Sequence, residues 1–239
     1  MTTLTDHAKA DWWQNLVRWR NFGNLIEMTW DNKQSYCQKH GYQLFDESNY
    51  LDQSRPPSWS KIVAARRLLT QEECDWVFWI DADTVIMNSN KRIEDFLPTN
   101  SNIDLLITEQ KGSSWNAGAW LIRNTPWSLQ YLDHWYNMKE YVKPKGMSVS
   151  GDNDALKAFL SNMDETEFQQ HIRVPSRCQF NSVAKFMTKK EFDTMTPDLV
   201  KKQTWYMHHE YYHKGDFIAH VAGVDNKITT TEMLLKLAV

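Results

Sequence analysis

The sequence predicts one α/β domain, with a largely parallel central sheet flanked by helices. Three apolar runs, rich in β-branched and aromatic residues, are typical of strands that are buried on both faces. These runs are Asp75–Asp83, Ile103–Ile107 and Asn116–Asn124. Segments with helical spacing separate them, and this alternation is the pattern of a wound α/β sheet. The 239 residues are enough for a full core, and we find no repeat or clear linker.

The first part of the chain differs in pattern from the rest. Residues 1–23 form a helical or divergent N-terminal segment, since 6–22 look helical but carry an irregular, Trp-rich pattern. The domain proper covers residues 24–239. It opens with a regular helix that begins at Asn24, a favoured N-cap residue, and ends before Gly41, the usual left-handed terminator.

Local signals predict the remaining elements. Ser58 is a candidate cap for the helix that follows it, and Thr125-Pro126 is the favoured cap-then-proline start of another helix. The predicted helices are 59–70, 125–139, the segment that begins at Gly151, and 229–237. The predicted short strands are 42–45, 171–174 and 217–223.

Composition excludes several function classes. Hydrophobic residues make up 41% of the chain and charged residues 24%, which is ordinary for a soluble globular protein. Because the net charge is −3 and there is no basic block, nucleic acid is not expected as a partner. The sequence contains no apolar run of about 18 residues, so it predicts no transmembrane segment. Cys37, Cys74 and Cys178 are scattered and predict thiols rather than a metal site or disulfide scaffold. Core filling is the first interpretation for most of the 12 Trp residues.

Two carboxylates stand where the first apolar run ends. Side chains alternate along a strand, so Asp81 and Asp83 are expected to point the same way. The carboxyl ends of strands are where open α/β sheets bind ligands, and two convergent oxygens suit a hard divalent cation. A pair of solvated aspartates that merely end the strand is the alternative, because Asp-x-Asp is a short pattern.

Six motifs occur in the same order as in a known family. The chain resembles glycosyltransferase family 34 over roughly residues 24–227. That family includes galactomannan galactosyltransferases, xyloglucan xylosyltransferases and Golgi mannosyltransferases. The motifs are Trp59-Ser60-Lys61-Ile62, the apolar strand into Asp81-Ala82-Asp83, Asn116–Asn124, Asp152–Leu156, Phe180-Asn181-Ser182 and Gly215–Gly223.

The resemblance implies an enzyme of a specific class. It implies a GT-A fold and transfer of a hexose or pentose, with retention of anomeric configuration, from a nucleotide-diphosphate sugar to a glycan. UDP-sugar is favoured over GDP-sugar as the donor, Mn²⁺ (or Mg²⁺) is the metal, and the acceptor is an oligosaccharide, polysaccharide or glycoprotein glycan. The location implied is the Golgi lumen or membrane, or the cytoplasm if the anchorless chain is complete. The chemistry agrees, because a cation neutralises the negative charge that develops on a leaving diphosphate.

The resemblance also implies roles for individual residues. The metal ligands are Asp81, Asp83 and His220, and the catalytic pair is Asp152 and Asn153. The residues that bind the donor are Lys61, Asp81, Asp83, Asn116, Ala117, Gly118 and Gly223.

Four of these residues keep structural alternatives. His220 ends an apolar run and, taken alone, is more typical of a core histidine than of a metal ligand. The alternative for Lys61 is a lysine that points from its helix into solvent. For Gly118 the alternative is close packing of the strand, and for Asp152 it is capping of the helix that begins there.

The chain departs from the family's pattern in several places. Asn153 stands where some relatives have Gln, which is longer by one methylene. Relatives begin with a strand that holds the nucleotide base, but the corresponding stretch here, Trp12–Arg20, is not an obvious strand. A lysine that follows the metal histidine in some relatives has Lys227 as its nearest counterpart.

Two other function classes compete with the transferase. The run Phe78–Thr84 also resembles the signature of haloacid-dehalogenase-type phosphatases, in which Asp81 is the nucleophile and Asp83 the general acid. A non-catalytic carbohydrate-binding module accounts for the tryptophans, but not for carboxylates at the end of a buried strand.

Overall fold

A computed structural model describes most of the domain proper and a short piece of the N-terminal segment. The described residues are 2–3, 24–72, 74–97, 102–110, 114–145, 149–184, 211–223 and 227–238. The helix predicted at 6–22 therefore lies outside the described residues, as does the stretch Trp12–Arg20.

Strands and helices alternate along the described chain, which confirms the α/β class. The strands are β1 (Thr2–Thr3), β2 (Phe45–Asp46), β3 (Trp76–Ile80), β4 (Thr84–Ile86), β5 (Leu105–Gln110), β6 (Ser114–Arg123), β7 (Ile172–Arg173), β8 (Ser182–Val183) and β9 (Ile218–His220). The helices are α1 (Leu25–His40), α2 (Ser60–Gln71), α3 (Pro126–Asn137), α4 (Asp152–Ser161), α5 (Glu165–His171), α6 (Arg177–Phe180) and α7 (Lys227–Leu235).

The main sheet is largely parallel, as predicted, with β6 alone running against the other five strands. Its six strands run in the order β2-β1-β3-β6-β5-β7. Pairs β1–β2, β1–β3 and β5–β7 are parallel, but β6 is antiparallel to both β3 and β5. Only residues 111–113 separate β5 from β6, and a parallel return needs about a dozen residues or more. The strand Thr2–Thr3, too short to leave a sequence signal, was missed.

A second, three-stranded sheet has the order β4-β9-β8. Strand β4 follows β3 after one turn, and it pairs antiparallel with β9 so that Thr84 faces His220. The backbone N–H of Val221 donates to the carbonyl of Asp83 at 2.9 Å. This pairing brings the end of β9 beside the turn that follows β3.

The core lies on both faces of the main sheet. In β3, Val77 and Trp79 belong to one apolar cluster with helices α2, α3 and α4, whereas Phe78 and Ile80 belong to another. This division follows from the alternation of side chains along a strand. Among the residues that the structure describes, five tryptophans are buried, as core filling requires: Trp59, Trp79, Trp115, Trp120 and Trp135. In the part of the chain that the structure covers, every helix is too short or too polar to traverse a bilayer.

The predicted helix boundaries hold at some ends and fail at others. Gly41 ends α1 in the left-handed conformation with φ 75°, and Thr125 Oγ1 accepts from the backbone N–H of Ser128 at the start of α3. Asn24 precedes α1 but makes no side-chain cap bond. Ser58 lies in a 3₁₀ turn, Pro57–Trp59, and does not cap α2. Its hydroxyl donates to Asp152 Oδ1 instead.

Asp216 ties β9 to β8 and gives a prediction about stability. Its Oδ2 accepts from Ser182 Oγ at 2.7 Å and from the His213 N–H at 2.8 Å. Burial raises the pKa of the Asp216 carboxyl above its ordinary value, although these hydrogen bonds oppose the shift. Protonated Asp216 therefore favours the folded state. This contribution to stability is fully present below the pKa of Asp216 in the unfolded chain, about 3.9, and is lost as pH rises through its pKa in the folded protein.

We expect Asp216→Asn to remove this pH dependence. The free energy of unfolding in urea, measured from about pH 4 to pH 7, should fall for the native chain relative to the variant. Asp133→Asn is the control, because Asp133 is half-exposed and pairs only with Arg66 in the contacts described. Parallel curves for the native chain and Asp216→Asn would contradict the assignment.

Candidate active site

The Asp-x-Asp pair lies on a tight turn between β3 and β4. The Thr84 N–H donates to the Asp81 carbonyl at 3.2 Å, and Thr84 Oγ1 donates to the same oxygen at 2.6 Å. The Asp81 N–H donates to the Gly118 carbonyl at 2.7 Å, which holds the turn against β6. The carboxylates converge because the backbone turns, and not through the strand alternation on which the sequence argument relied.

Asp81, Asp83 and His220 form a cluster of possible metal ligands. Each offers one ligand atom, and these atoms lie within 4.8 Å of one another. His220 Nε2 lies 3.2 Å from Asp83 Oδ1. Asp83 and His220 are buried, whereas 27% of the Asp81 side chain is exposed. Solvent therefore reaches the cluster from the side of Asp81.

The donor set fits a Mn²⁺-type ion. Carboxylate oxygens and a neutral imidazole nitrogen are ligands that suit this metal. His220 Nδ1 is buried and has no hydrogen-bond partner among the described residues. A buried polar atom without a partner needs an explanation, and a bound cation supplies one for this ring.

Gly118 makes room for the His220 ring. A Cβ at position 118 would lie 2.0 Å from His220 Cε1 and 2.6 Å from Nδ1. Such distances are far inside van der Waals contact. Close packing was the alternative role predicted for Gly118, and the group that packs against it is the His220 imidazole.

Asp83 is held in its ionised form. Burial alone would raise the pKa of its carboxyl, but the neighbouring Lys227 and His220 outweigh burial and hold that pKa well below its ordinary value. Lys227 Nζ donates to Asp83 Oδ2 and to the Val221 carbonyl. A carboxylate that stays ionised is what a metal ligand requires.

Lys61 links the Asp-x-Asp turn to the start of α4. Its Nζ donates to Asp81 Oδ1 at 3.0 Å and to the Ala117 carbonyl at 3.1 Å, and lies 3.6 Å from Asp152 Oδ2. Burial lowers the Lys61 pKa, but Asp81 and Asp152 outweigh burial, so the net shift is upward. Because Lys61 is 4% exposed, it is not the solvated helix lysine of the alternative interpretation.

Asp152 faces the site and does not cap its helix. The N-cap of α4 is Gly151, with φ 90°. Asp152 Oδ1 accepts hydrogen bonds from Ser58 Oγ and Ser150 Oγ, both at 2.9 Å. Sequence reasoning missed both serines, since a serine near a helix start usually signals a cap.

The loop at the start of β6 is fixed by side chains of several elements. Asn153 Oδ1 accepts from the Ala117 N–H at 3.1 Å. Asn116 Oδ1 accepts from the Gly118 N–H at 2.8 Å and from Asn181 Nδ2 at 3.0 Å. Asn181 was quoted in a motif, but its place beside Asn116 was not predicted.

Gly223 lies in the turn beyond β9. Its φ is 69°, and a side chain there would project into open space. Glycine is therefore favoured at this position by backbone conformation.

Donors on two other elements fix the orientation of the Asp81 carboxylate. Its Oδ1 accepts from Trp79 Nε1 at 2.8 Å as well as from Lys61, and Lys61 also lies 3.3 Å from Oδ2. A carboxylate has about four lone-pair sites over its two oxygens, so Asp81 keeps capacity to bind a metal.

Comparison with known protein sequences gives one family and several curated relatives. The family described as "Protein of unknown function, DUF273" matches residues 33–216. Galactomannan galactosyltransferase 1 of Cyamopsis tetragonoloba is 26% identical over 180 residues, covering 66% of this chain and 41% of the relative. A probable alpha-1,6-mannosyltransferase of Saccharomyces cerevisiae is 28% identical over 182 residues, covering 63% and 45%. A probable xyloglucan 6-xylosyltransferase 5 of Arabidopsis thaliana is 31% identical over 136 residues, covering 54% and 29%. The chain spans less than half the length of these relatives, whose names confirm the resemblance to family 34.

Comparison with solved structures identifies the fold. A glycosyltransferase involved in glycosylation of the major capsid of PBCV-1 superposes with a TM-score of 0.60 at 16% identity, covering 98% of each chain. The galactosyltransferase LgtC, in complex with donor and acceptor sugar analogs, gives 0.54 at 13% identity, covering 99% of this chain and 94% of that one. The fold is therefore the GT-A glycosyltransferase fold, as predicted. None of the relatives and structures named here is a phosphatase.

Proposed function

The chain belongs to the family described as a protein of unknown function, DUF273, and we propose that it is a metal-dependent, retaining glycosyltransferase. It moves a hexose or pentose from a nucleotide-diphosphate sugar to a glycan acceptor. The observation that carries the proposal is the convergence of Asp81, Asp83 and His220 within 4.8 Å at the end of β3 in a GT-A fold. The glycosyltransferase names of the relatives support the same reaction class.

The three convergent residues account for metal dependence. They would hold Mn²⁺ (or Mg²⁺), which would neutralise the charge that develops on the leaving diphosphate. Asp83 keeps its negative charge because Lys227 and His220 stabilise it. Lys227 is also the cation that we assign to the donor phosphates, since it follows the metal histidine as the family's lysine does.

Lys61, Asp152 and Asn153 form the sugar-facing side of the site. Asp152 presents a carboxylate whose Oδ1 is fixed by two serine hydroxyls. A carboxylate in that position stabilises the positive charge that the donor sugar ring develops as its bond to phosphate breaks. Lys61 sets the spacing between Asp81 and Asp152, and Asn153 holds the backbone of Ala117. We assign the donor sugar to the space bounded by Asn116, Ala117 and Gly118.

The donor, acceptor and location complete the proposal. A UDP-sugar is the preferred donor, and an oligosaccharide, polysaccharide or glycoprotein glycan is the acceptor. One relative is named for a galactomannan and another for a xyloglucan, which supports a polysaccharide or oligosaccharide acceptor. We assign the protein to the Golgi lumen or membrane on the resemblance to family 34.

The test is a screen of nucleotide sugars with Mn²⁺, with and without oligosaccharide acceptors. Release of nucleotide diphosphate should require the metal and stop with a chelator, and an acceptor should gain one sugar of retained configuration. Metal-independent turnover of simple aryl phosphates, with no nucleotide sugar consumed, would overturn the proposal in favour of a phosphatase.

Removing one serine that holds Asp152 should slow transfer. Ser58→Ala removes a hydrogen bond to a charged group, and such bonds contribute roughly 1.5–3 kcal/mol. We therefore expect kcat to fall by about one order of magnitude, with the affinity for Mn²⁺ unchanged. Ser54→Ala is the matched control, because Ser54 Oγ also donates to a carboxylate, that of Asp52, at the surface. Equal kcat values for the two variants would show that Ser58 does not act on Asp152.

A further inference from the structure

Helix α1 lies against the Asp-x-Asp turn and contributes a fully buried lysine. Lys33 has 0% of its surface exposed. Taking an ammonium group out of water costs several kcal/mol unless the group is closely paired. The contacts that Lys33 makes should therefore reveal what its burial achieves.

Those contacts lie on the backbone of the turn. Lys33 Nζ donates to the Asp81 carbonyl at 3.1 Å and to the Ala82 carbonyl at 3.3 Å. It also donates to Thr29 Oγ1 at 3.0 Å, and that oxygen lies 3.0 Å from the Ala82 carbonyl. Two side chains one helical turn apart thus hold the two carbonyls that lie between the carboxylate residues.

The residue before Lys33 in α1, Asn32, fixes the strand that leaves the turn. Asn32 Nδ2 donates to the Ile86 carbonyl at 2.9 Å, and the Ile86 N–H donates to Asn32 Oδ1 at 2.8 Å. The amide side chain therefore pairs with β4 as a neighbouring strand would. Helix α1 holds the turn at its apex and β4 at its far end.

Charge adds to this geometry. Two carboxylates brought close together repel each other, which opposes their convergence. The Lys33 side chain, when protonated, offsets that repulsion. Burial lowers the pKa of Lys33 to about 7, against the opposing effect of Asp83 and Asp81, which favour its charged form.

We propose that Lys33 is a positioning residue that holds the Asp81–Thr84 turn so that the two carboxylates converge for metal binding. Lys33 has no assigned contact with metal, donor or acceptor, and acts through the backbone carbonyls. The inference rests on the proposed function, because it requires the metal site.

The experiment replaces Lys33 with methionine, which keeps most of the volume and removes the charge and the donors. Mn²⁺ affinity is measured by electron paramagnetic resonance of the free ion, without donor sugar. We expect Lys33→Met to weaken Mn²⁺ binding by at least about tenfold, or roughly 1.4 kcal/mol. Backbone amides of the turn should exchange faster with deuterium in the metal-free protein. At saturating Mn²⁺, kcat should largely recover, which a merely misfolded variant would not show.

Matched variants separate this inference from the proposed function. Lys39→Met is the control on the same helix, since Lys39 is exposed and contacts Ser89 and Asn90; its Mn²⁺ affinity should not change. If Asp83→Asn weakens Mn²⁺ binding and Lys33→Met does not, the inference is wrong and the proposed function stands. If Asp83→Asn also leaves Mn²⁺ binding unchanged, the metal site itself is wrong.

A second variant covers the case in which Lys33→Met does not fold. Thr29→Val keeps the shape of the side chain but removes the oxygen that contacts Lys33 and the Ala82 carbonyl. We expect a smaller loss of Mn²⁺ affinity in the same direction. An unchanged Mn²⁺ affinity in a folded Thr29→Val protein would show that α1 does not hold the turn for metal binding.

Discussion

Asp83→Asn should abolish Mn²⁺-dependent transfer, with kcat/KM lower by at least about a hundredfold. Asparagine has nearly the same shape as aspartate, but it lacks the negative charge that a divalent cation and Lys227 both require. Loss of one ligand to a metal that neutralises the leaving group costs several kcal/mol of transition-state stabilisation, and each 1.36 kcal/mol is about tenfold in rate. The measurement is steady-state transfer at varied Mn²⁺, together with direct Mn²⁺ binding.

The comparison variants make this result specific. Asp81→Asn should show a loss of the same order, whereas Asp133→Asn should retain activity because that carboxylate pairs with Arg66 at the surface. Circular dichroism should show that each variant is folded. Transfer that survives in Asp83→Asn, or that continues in the presence of a chelator, would remove the metal from the proposed function.

The sequence predicted the elements of this fold better than their arrangement. The apolar strands follow from continuous apolar runs, which are typical of strands buried on both faces, and the end of helix α1 follows from Gly41. The direction of β6 does not, since it depends on which distant strand pairs with it. For the same reason the pairing of β9 with β4, which sets His220 opposite Thr84, leaves no local signal.

The candidate site shows the same division between local and distant information. Asp81 and Asp83 stand out because carboxylates at the end of a buried strand are unusual. His220 alone is typical of a core histidine, and only the resemblance to family 34 singled it out. Ser58 and Lys33 were missed because a serine near a helix start and a lysine on a helix usually face solvent. Their roles depend on groups that the fold brings to them.

Gly118→Ala should reduce Mn²⁺ affinity about as much as His220→Ala does. The new Cβ would lie 2.0 Å from His220 Cε1, so either the ring or the strand must move. Position 118 is held within the sheet, because its carbonyl accepts from the Asp81 N–H and its N–H donates to Asn116 Oδ1. The imidazole is therefore the group that moves, and it leaves the cluster of ligands.

A double variant tests this argument more sharply than either single change. If Gly118 acts only by making room for the imidazole, Gly118→Ala combined with His220→Ala should bind Mn²⁺ no more weakly than His220→Ala alone. Non-additivity of this kind identifies two residues that act through one interaction. Gly41→Ala is the control, since Gly41 has φ 75° and open space around it; it should lower stability by about 1 kcal/mol and leave Mn²⁺ affinity unchanged. Additive losses in the double variant would instead mean that Gly118 contributes to the site by another route, such as the donor-binding role that the sequence predicted.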